Sequence, residues 1–155
     1  MLHPGIIWRG KHVQSQHYPE HLEQKPEFTG WQFAASLKGW INHKLAFKWL
    51  QKIFISETHV TGQFRLLIVD EHGSHVTDDF MWEYYHHDIY LLFLPPHSSH
   101  ITQPYDFSCF SVLKRAYRYY LGDLIILTDS SLIGKENFLR CYSRARIEAF
   151  TEQII

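Results

Sequence analysis

The sequence is poor in cysteine, in long apolar runs and, over its first part, in aspartate. Its two cysteines, Cys109 and Cys141, are too few for a disulfide framework and favour reduced thiols in a cytosolic or nuclear protein. No apolar run approaches the roughly 20 residues that span a bilayer, so we expect no membrane-embedded segment. The N-terminus, Met-Leu-His-Pro-Gly, has neither the basic start nor the apolar stretch of a secretory signal peptide.

Apolar residues are nevertheless plentiful enough for a folded core. Of the 155 residues, 45% are hydrophobic and 16% are aromatic, which disfavours a disordered chain. A chain of this length is too short for two domains of ordinary size. We therefore predict a single domain over residues 1–155.

Positive charge is missing from the middle of the chain. Residues 66–106 hold seven Asp and Glu and no Lys or Arg, whereas residues 1–65 carry a net +4 and residues 107–155 a net +2. Basic flanks around an acidic centre suit a protein that holds a phosphate backbone beside a cation site. The alternative is that four of these acids merely lie on one solvated helix: Asp78, Asp79, Glu83 and Asp88.

The spacing of apolar residues predicts alternating strands and helices. Strands are predicted near residues 6–9, 31–35, 64–69 and 89–94, and helices over 43–57, from Thr77 onward, over 107–121 and over 135–151. Asn42 is a plausible N-cap for the first helix. Strand, helix, strand, helix indicates an α/β layer with parallel pairing in the middle.

Three expectations concern which side chains are buried. The run over 64–69 suits a strand that is covered on both faces. The helix after Thr77 should turn four side chains inward: Phe80, Met81, Tyr84 and Tyr85. Four tryptophans are expected in the core rather than as stacking platforms for bases: Trp31, Trp40, Trp49 and Trp82.

Two aspartates follow the two central strands. Asp70 is the first aspartate of the chain and comes directly after the strand over 64–69, and Asp106 follows the next strand after a His-rich loop. Adjacent parallel strands would bring both carboxylates to one edge of the sheet, where open α/β sheets bind ligands. Oxygen ligands suit Mg²⁺ or Mn²⁺, and a metal pair can activate water and stabilise a leaving oxygen. The alternatives are that Asp70 is a turn residue and Asp106 a plain helix cap.

Both aspartates lie in motifs that resemble pogo/mariner-type DDE transposases. Residues 66–75, Leu-Leu-Ile-Val-Asp-Glu-His-Gly-Ser-His, resemble the segment around the family's second catalytic aspartate. Residues 94–107, Leu-Pro-Pro-His-Ser-Ser-His-Ile-Thr-Gln-Pro-Tyr-Asp-Phe, resemble the third-aspartate segment even more closely. The segments 10–14, 39–42 and 145–151 are also similar to parts of that family.

The resemblance implies a fold, a chemistry and a substrate. It implies an RNase H-like mixed sheet flanked by helices, a DDE endonuclease and strand-transferase ancestry, DNA as the partner and the nucleus as the location. It assigns Asp70 and Asp106 as the second and third catalytic carboxylates, which bind Mg²⁺ or Mn²⁺.

The family's first catalytic aspartate has no counterpart in these residues. It belongs to a strand upstream of the region that resembles residues 4–11. We therefore expect an N-terminally truncated domain that lacks the first strands of the family core and the helix-turn-helix DNA-binding domain. Such a chain should bind metal weakly, lack transposase activity and self-associate through its exposed sheet edge. Four glutamates are conceivable substitutes outside any matching motif: Glu20, Glu23, Glu27 and Glu57.

The histidines of the two motifs have two readings. The pairs His72 with His75 and His97 with His100 have the His-x-x-His spacing that can bind zinc. They also fall in predicted loops, where the family resemblance explains them without zinc. We expect His75, His97 and His100 to form the active-site rim or to touch phosphate.

A basic cluster follows Asp106. Lys114, Arg115 and Arg118 can contact the DNA backbone without reading bases, or they can be an ordinary solvated helix face. Two further hypotheses stay open. The chain can be part of a working enzyme whose first carboxylate comes from an upstream segment or another chain, or a non-catalytic module that binds DNA or a protein.

Overall fold

The computed structural model describes residues 1–13, 25–69, 77–94, 109–128 and 134–151. They form two compact units, one that contains residues 2–13, 30–69 and 77–94 and another that contains Met1 and residues 25–29, 109–128 and 134–151. The first unit is α/β and the second is helical, which confirms the α/β class. The RNase H-like arrangement and the single domain stay predictions.

The α/β unit begins with two short parallel strands. β1 (Gly5–Arg9) pairs with β2 (Gln32–Ser36) in a register that joins Gly5 to Gln32 and Arg9 to Ser36. Because the strands are parallel, their carboxyl ends lie at the same edge.

A long helical segment follows β2. It consists of α1 (His43–Trp49), a π-helical stretch (Leu50–Ile55) and α2 (Ser56–Thr58). The predicted N-cap is confirmed, since Asn42 Oδ1 accepts a hydrogen bond from the Leu45 amide at 3.0 Å. The π-helical stretch was not predicted. Within it the three successive side chains Ile53, Phe54 and Ile55 are buried.

The central strands pair in parallel, as the sequence predicts. β3 (Arg65–Val69) and β4 (Ile89–Phe93) align Arg65 with Ile89 and Val69 with Phe93. The helix α3 (Asp78–His86) lies between them in the chain. The Leu94 amide donates to the Val69 carbonyl at 2.9 Å, which continues the pairing past the last strand residue.

The core of this unit forms between the central strands and two helical segments. Its buried side chains are Ala46, Leu50, Phe54, Ile55, Phe80, Tyr84 and Ile89. Phe80 packs edge-on against Phe47, with ring centroids 5.3 Å apart. A polar contact also joins the first helical segment to α3, since Gln51 Nε2 donates a hydrogen bond to Glu83 Oε1 at 2.7 Å.

Three burial expectations are wrong. On α3, Phe80 and Tyr84 are buried, but Met81 is 47% and Tyr85 81% exposed, because the helix turns only the row of Phe80 and Tyr84 toward the core. The strands are covered on one face only, since the outer face of β3–β4 exposes the apolar side chains Leu66, Ile68, Tyr90 and Leu92. Trp40 and Trp82 are exposed at the surface rather than in the core.

The helical unit is a pair of packed helices, α4 (Cys109–Thr128) and α5 (Lys135–Ala149). Small side chains let them approach, since Ala116, Ala145 and Ala149 are buried beside Leu113. The start of the predicted helix over 107–121 lies outside the described residues, and α4 continues seven residues beyond the predicted end. Both cysteines, Cys109 and Cys141, are buried.

No helix within the described ranges has the length and apolarity needed to cross a bilayer.

Candidate functional site

The two predicted catalytic aspartates, Asp70 and Asp106, lie outside the described residues. So do the three rim histidines, His75, His97 and His100. The assignments of these five residues therefore stay predictions. What the structure provides is the pair of strands from which the two motif segments begin.

The carboxyl ends of this strand pair, β3 and β4, are aligned. Val69, which precedes Asp70 in the sequence, is paired with Phe93, which is followed by the Pro-Pro-His segment. The two motif segments therefore leave the sheet from neighbouring strand ends. The predicted adjacency of two parallel strands before the motif segments is confirmed.

Arg65 fixes the opposite end of the same strand pair. Its amide donates to the Asp88 carbonyl at 2.9 Å, and its Nη1 donates to Thr58 Oγ1 at 2.9 Å. Its Nη2 donates to the His87 carbonyl. One side chain thus ties the start of β3 to α2 and to the turn before β4, which holds the register of the two strands.

The described residues offer no alternative metal site. No cluster of three or more His, Cys, Asp or Glu side chains that could hold an ion occurs within them. The donor chemistry of Asp70 and Asp106, two carboxylates, fits a hard cation such as Mg²⁺ or Mn²⁺. The four histidines of the zinc alternative lie outside the described ranges.

Of the four glutamates that could replace a missing carboxylate, Glu57 has a structural role. Its Oε2 accepts from the His3 amide at 2.8 Å and its Oε1 lies 3.1 Å from His3 Nδ1. Glu57 thus anchors the segment before β1 to α2. Glu27 is exposed in the helical unit, and Glu20 and Glu23 fall outside the described residues.

The predicted basic cluster lies on α4. Lys114, Arg115 and Arg118 are exposed, while Leu113 and Ala116 are buried against α5. The three cations therefore occupy the solvent side of a packed helix. This position is compatible with contact to a phosphate backbone and equally with a solvated face.

A second basic surface, not identified from the sequence, occurs at the carboxyl ends of β1 and β2. Arg9 is the last residue of β1, Lys11 follows it, and Lys38 follows β2. Trp40, in the turn after β2, is 75% exposed. The available signal was the absence of Asp and Glu from residues 1–19 and 28–56, the two stretches that contain Arg9, Lys11 and Lys38.

A small cavity lies between the β1–β2 pair and α1. Its volume is about 100 Å³, and Ile6, Phe33 and Trp49 are among its apolar walls, with Lys48 and Lys52 at its border. Sites for drug-sized ligands and cofactors usually measure about 300–1,000 Å³. The cavity is therefore too small for an organic cofactor.

The chain matches the model of a known protein family over its whole length. The model of a family described as DDE superfamily endonuclease matches residues 1–155. A curated protein of Cochliobolus lunatus, named MFS-type transporter clz9, is 34% identical over 151 residues, which cover 97% of this chain and 16% of that protein. The chain thus spans about a sixth of the length of this relative. No solved structure matches the chain.

Proposed function

Because the chain belongs to the DDE superfamily endonuclease family, we propose that it is a transposase-derived endonuclease domain of the pogo/mariner type that acts on DNA. The observation that supports this most directly is the parallel pairing of β3 with β4. Their carboxyl ends lie side by side immediately before the two motif segments. Transport is not part of the proposal, because the relative named a transporter shares only 16% of its length with this chain.

Asp70 and Asp106 are proposed to hold Mg²⁺ or Mn²⁺ through their carboxylate oxygens. The bound ion would supply a polarised water and stabilise the charge that develops on a leaving phosphate oxygen. His75, His97 and His100 are proposed to border the site and to contact the scissile phosphate. Nuclear location and self-association through a sheet edge complete the proposal.

A polypeptide of these 155 residues alone is proposed to bind metal weakly and to be inactive in strand cleavage. It supplies two motif carboxylates, and a site for two metal ions normally draws on more. A carboxylate from an additional segment or a second chain would complete the ligand set.

Metal binding by the chain tests the site without requiring activity. Titration with Mn²⁺, followed by the electron paramagnetic resonance of the free ion, should show weak binding. Asp70→Asn and Asp106→Asn should each lower the affinity about tenfold or more, which corresponds to a loss of roughly 1.4 kcal/mol. Asp123→Asn is the matched control, since Asp123 is exposed on α4 and outside both motifs.

Cleavage of a supercoiled plasmid in Mn²⁺ tests the catalytic part. The 155-residue chain should leave the plasmid intact, and a chain extended by a segment with a third carboxylate should nick it. In the extended chain, Asp70→Asn and Asp106→Asn should each abolish nicking. Nicking that survives either change would show that the aspartate does not hold the metal.

A second candidate function is a non-catalytic DNA-binding module, which the exposed cations of α4 favour. Duplex DNA should then bind with an affinity that falls steeply with salt. Replacing Lys114, Arg115 and Arg118 with Gln should weaken binding, and Asp70→Asn should leave it unchanged. Binding that does not depend on salt would instead indicate a protein partner.

A further inference from the structure

The carboxyl ends of β1 and β2 form one closely packed edge. The Gly10 amide donates to the Ser36 carbonyl at 2.9 Å, and the Gly39 amide donates to the same carbonyl at 3.0 Å. Ser36 Oγ donates to the Trp40 carbonyl at 2.8 Å. A single residue, Ser36, thus joins the end of β1 to the turn after β2 and fixes the backbone that carries Trp40.

At Gly39 the turn after β2 comes into direct contact with the end of β1. The φ of Gly39 is +75°, and a Cβ at this position would lie 3.2 Å from Arg9 Cβ and 3.5 Å from Arg9 Cα. The turn after β2 therefore rests on Arg9, with Lys38 before and Trp40 after the contact. We call Arg9, Lys11, Lys38 and Trp40 the β1–β2 rim.

The charge at the rim is of one sign. Arg9, Lys11 and Lys38 are exposed, and none of them forms an ion pair with a carboxylate of the described residues. The nearest acidic residue of the unit along the chain, Glu57, is held by His3. Three cations that no described carboxylate neutralises, at the edge of one strand pair, are an attractive site for a polyanion.

The exposed indole of Trp40 indicates which kind of polyanion the β1–β2 rim can bind. Trp40 is 75% exposed although its backbone is fixed, so its indole is presented to solvent by a rigid support. An exposed aromatic ring beside cations is the arrangement on which unpaired nucleotide bases stack while the cations contact phosphates. In an intact duplex the base faces are covered by neighbouring base pairs and are not available to such a ring.

We propose that the β1–β2 rim binds a single-stranded nucleic acid, with Trp40 stacked on an unpaired base and Arg9, Lys11 and Lys38 on the adjoining phosphates. The surface differs from the motif aspartates and from the α4 cations. It requires no metal, and its failure or success is therefore separable from that of the proposed endonuclease site. An acidic protein segment is the competing partner, which the test distinguishes.

Binding is measured on the full 155-residue chain in EDTA. The probe is a fluorescein-labelled oligothymidylate of 15 nucleotides, followed by anisotropy at several salt concentrations. Trp40→Ala should weaken binding about tenfold, in the range found for the loss of one base–aromatic stack. Trp40→Phe keeps an aromatic face and should restore most of the affinity.

The combined change Arg9→Gln, Lys11→Gln and Lys38→Gln should weaken binding and flatten its salt dependence. The slope of log K against log salt should fall by about 2, since each single-strand phosphate contact contributes roughly 0.7. A matched charge control removes three exposed lysines of the neighbouring helical segment: Lys44, Lys48 and Lys52. The matched aromatic control is Trp82→Ala, which removes an indole that is 64% exposed on α3.

The proposal holds if the rim variants lose affinity, both controls retain it, and a duplex of equal length competes poorly. It is overturned if Trp40→Ala binds like the wild type, if the controls lose as much as the rim variants, or if the duplex competes equally. It is also overturned if poly-glutamate displaces the oligonucleotide as well as unlabelled oligothymidylate does. Because all substituted side chains are exposed, circular dichroism and thermal melting should show an unchanged fold.

Discussion

The α/β unit contains two parallel strand pairs that are alike in backbone and opposite in chemistry. Both pairs have five residues per strand and an unshifted register from the first residue to the last. The segments that follow β1 and β2 carry cations and an exposed tryptophan, whereas β3 leads directly into an aspartate motif. Strand geometry therefore provides an edge, and the residues that follow the strands determine whether it attracts anions or cations.

The two pairs also differ in how they are held. The ends of β1 and β2 are joined by hydrogen bonds through Ser36, which stiffens that edge independently of the core. The β3–β4 pair depends on Arg65 at its start and on apolar packing of one face. We expect the first pair to respond mainly to changes in its turn and the second mainly to changes in its buried face.

The largest expected effect comes from the buried face of β4. Ile89→Ala should lower the free energy of unfolding by about 2–5 kcal/mol, because Ile89 is only 6% exposed and its removal leaves a cavity in the core. Leu92→Ala on the same strand is the matched control. Leu92 is 48% exposed, and its loss should cost less than about 1 kcal/mol.

Urea denaturation of both variants measures this difference. Equal destabilisation by the two changes would mean that the outer face of β3–β4 is covered in solution, which would indicate association through this face rather than through a sheet edge. The dependence of the Leu92→Ala result on protein concentration would then identify the second copy as the cover.

An intermediate effect is expected at alkaline pH in the same core. Burial raises the pKa of Tyr84 from its ordinary value of 10.0 to about 12. A raised pKa in the folded state stabilises the fold fully below pH 10, and this contribution is lost as pH rises toward 12. The loss should reach about 1.4 kcal/mol at pH 11, and Tyr84→Phe should remove this part of the pH dependence.

The control for the alkaline effect is Tyr85→Phe, because Tyr85 is 81% exposed on the same helix. Unfolding free energies of the wild type and both variants at pH 8 and pH 11 give the comparison. If the Tyr84→Phe variant loses as much unfolding free energy between pH 8 and pH 11 as the wild type does, another group causes the alkaline sensitivity.

The smallest expected effect concerns the turn after β2. Gly39 and Gly62 both have φ of +75°, a conformation that costs a residue with a Cβ roughly 1–2 kcal/mol. A Cβ at Gly39 would also meet Arg9 Cβ at 3.2 Å, whereas nothing lies within 4 Å of a Cβ at Gly62. Gly39→Ala should therefore destabilise the chain more than Gly62→Ala, by about 1 kcal/mol.

Thermal melting of the two glycine variants isolates the Arg9 contact, since the backbone cost is common to both. If the two melting temperatures are equal, Arg9 moves aside freely and the β1–β2 rim is less rigid than its hydrogen bonds indicate. If Gly39→Ala melts lower, the turn and Arg9 are one packed element.

Much of the local structure could be predicted from the sequence because short-range chemistry dictates it. The apolar run before Asp70 and the run that ends at the prolines both form strands, and Asn42 caps its helix as its residue type predicts. The motif around each aspartate also led to the family that the whole chain matches. These features depend on neighbours in the chain, which the sequence contains explicitly.

The sequence could not decide which row of α3 faces inward. Phe80 with Tyr84 and Met81 with Tyr85 have the same i, i+4 spacing and similar apolar character, so periodicity allows either row. The choice was made by a segment about 30 residues earlier in the chain, where the Phe47 ring packs against Phe80 and Leu50 belongs to the same core. The π-helical stretch likewise buries three successive side chains against different neighbours, since Phe54 and Ile55 belong to this core and Ile53 lies beside Gly5 of β1.

The sequence by itself determined the strands, most of the helix limits, the cap at Asn42 and the family, since each follows from residue type and spacing within a short segment. Only the tertiary structure decided that Tyr85 and Trp82 face outward, that the outer face of β3–β4 is open, and that Arg9 meets the turn before Trp40. The physical reason is the same in each case: burial and contact depend on which distant segment packs against a side chain, and local pattern contains no information about that partner.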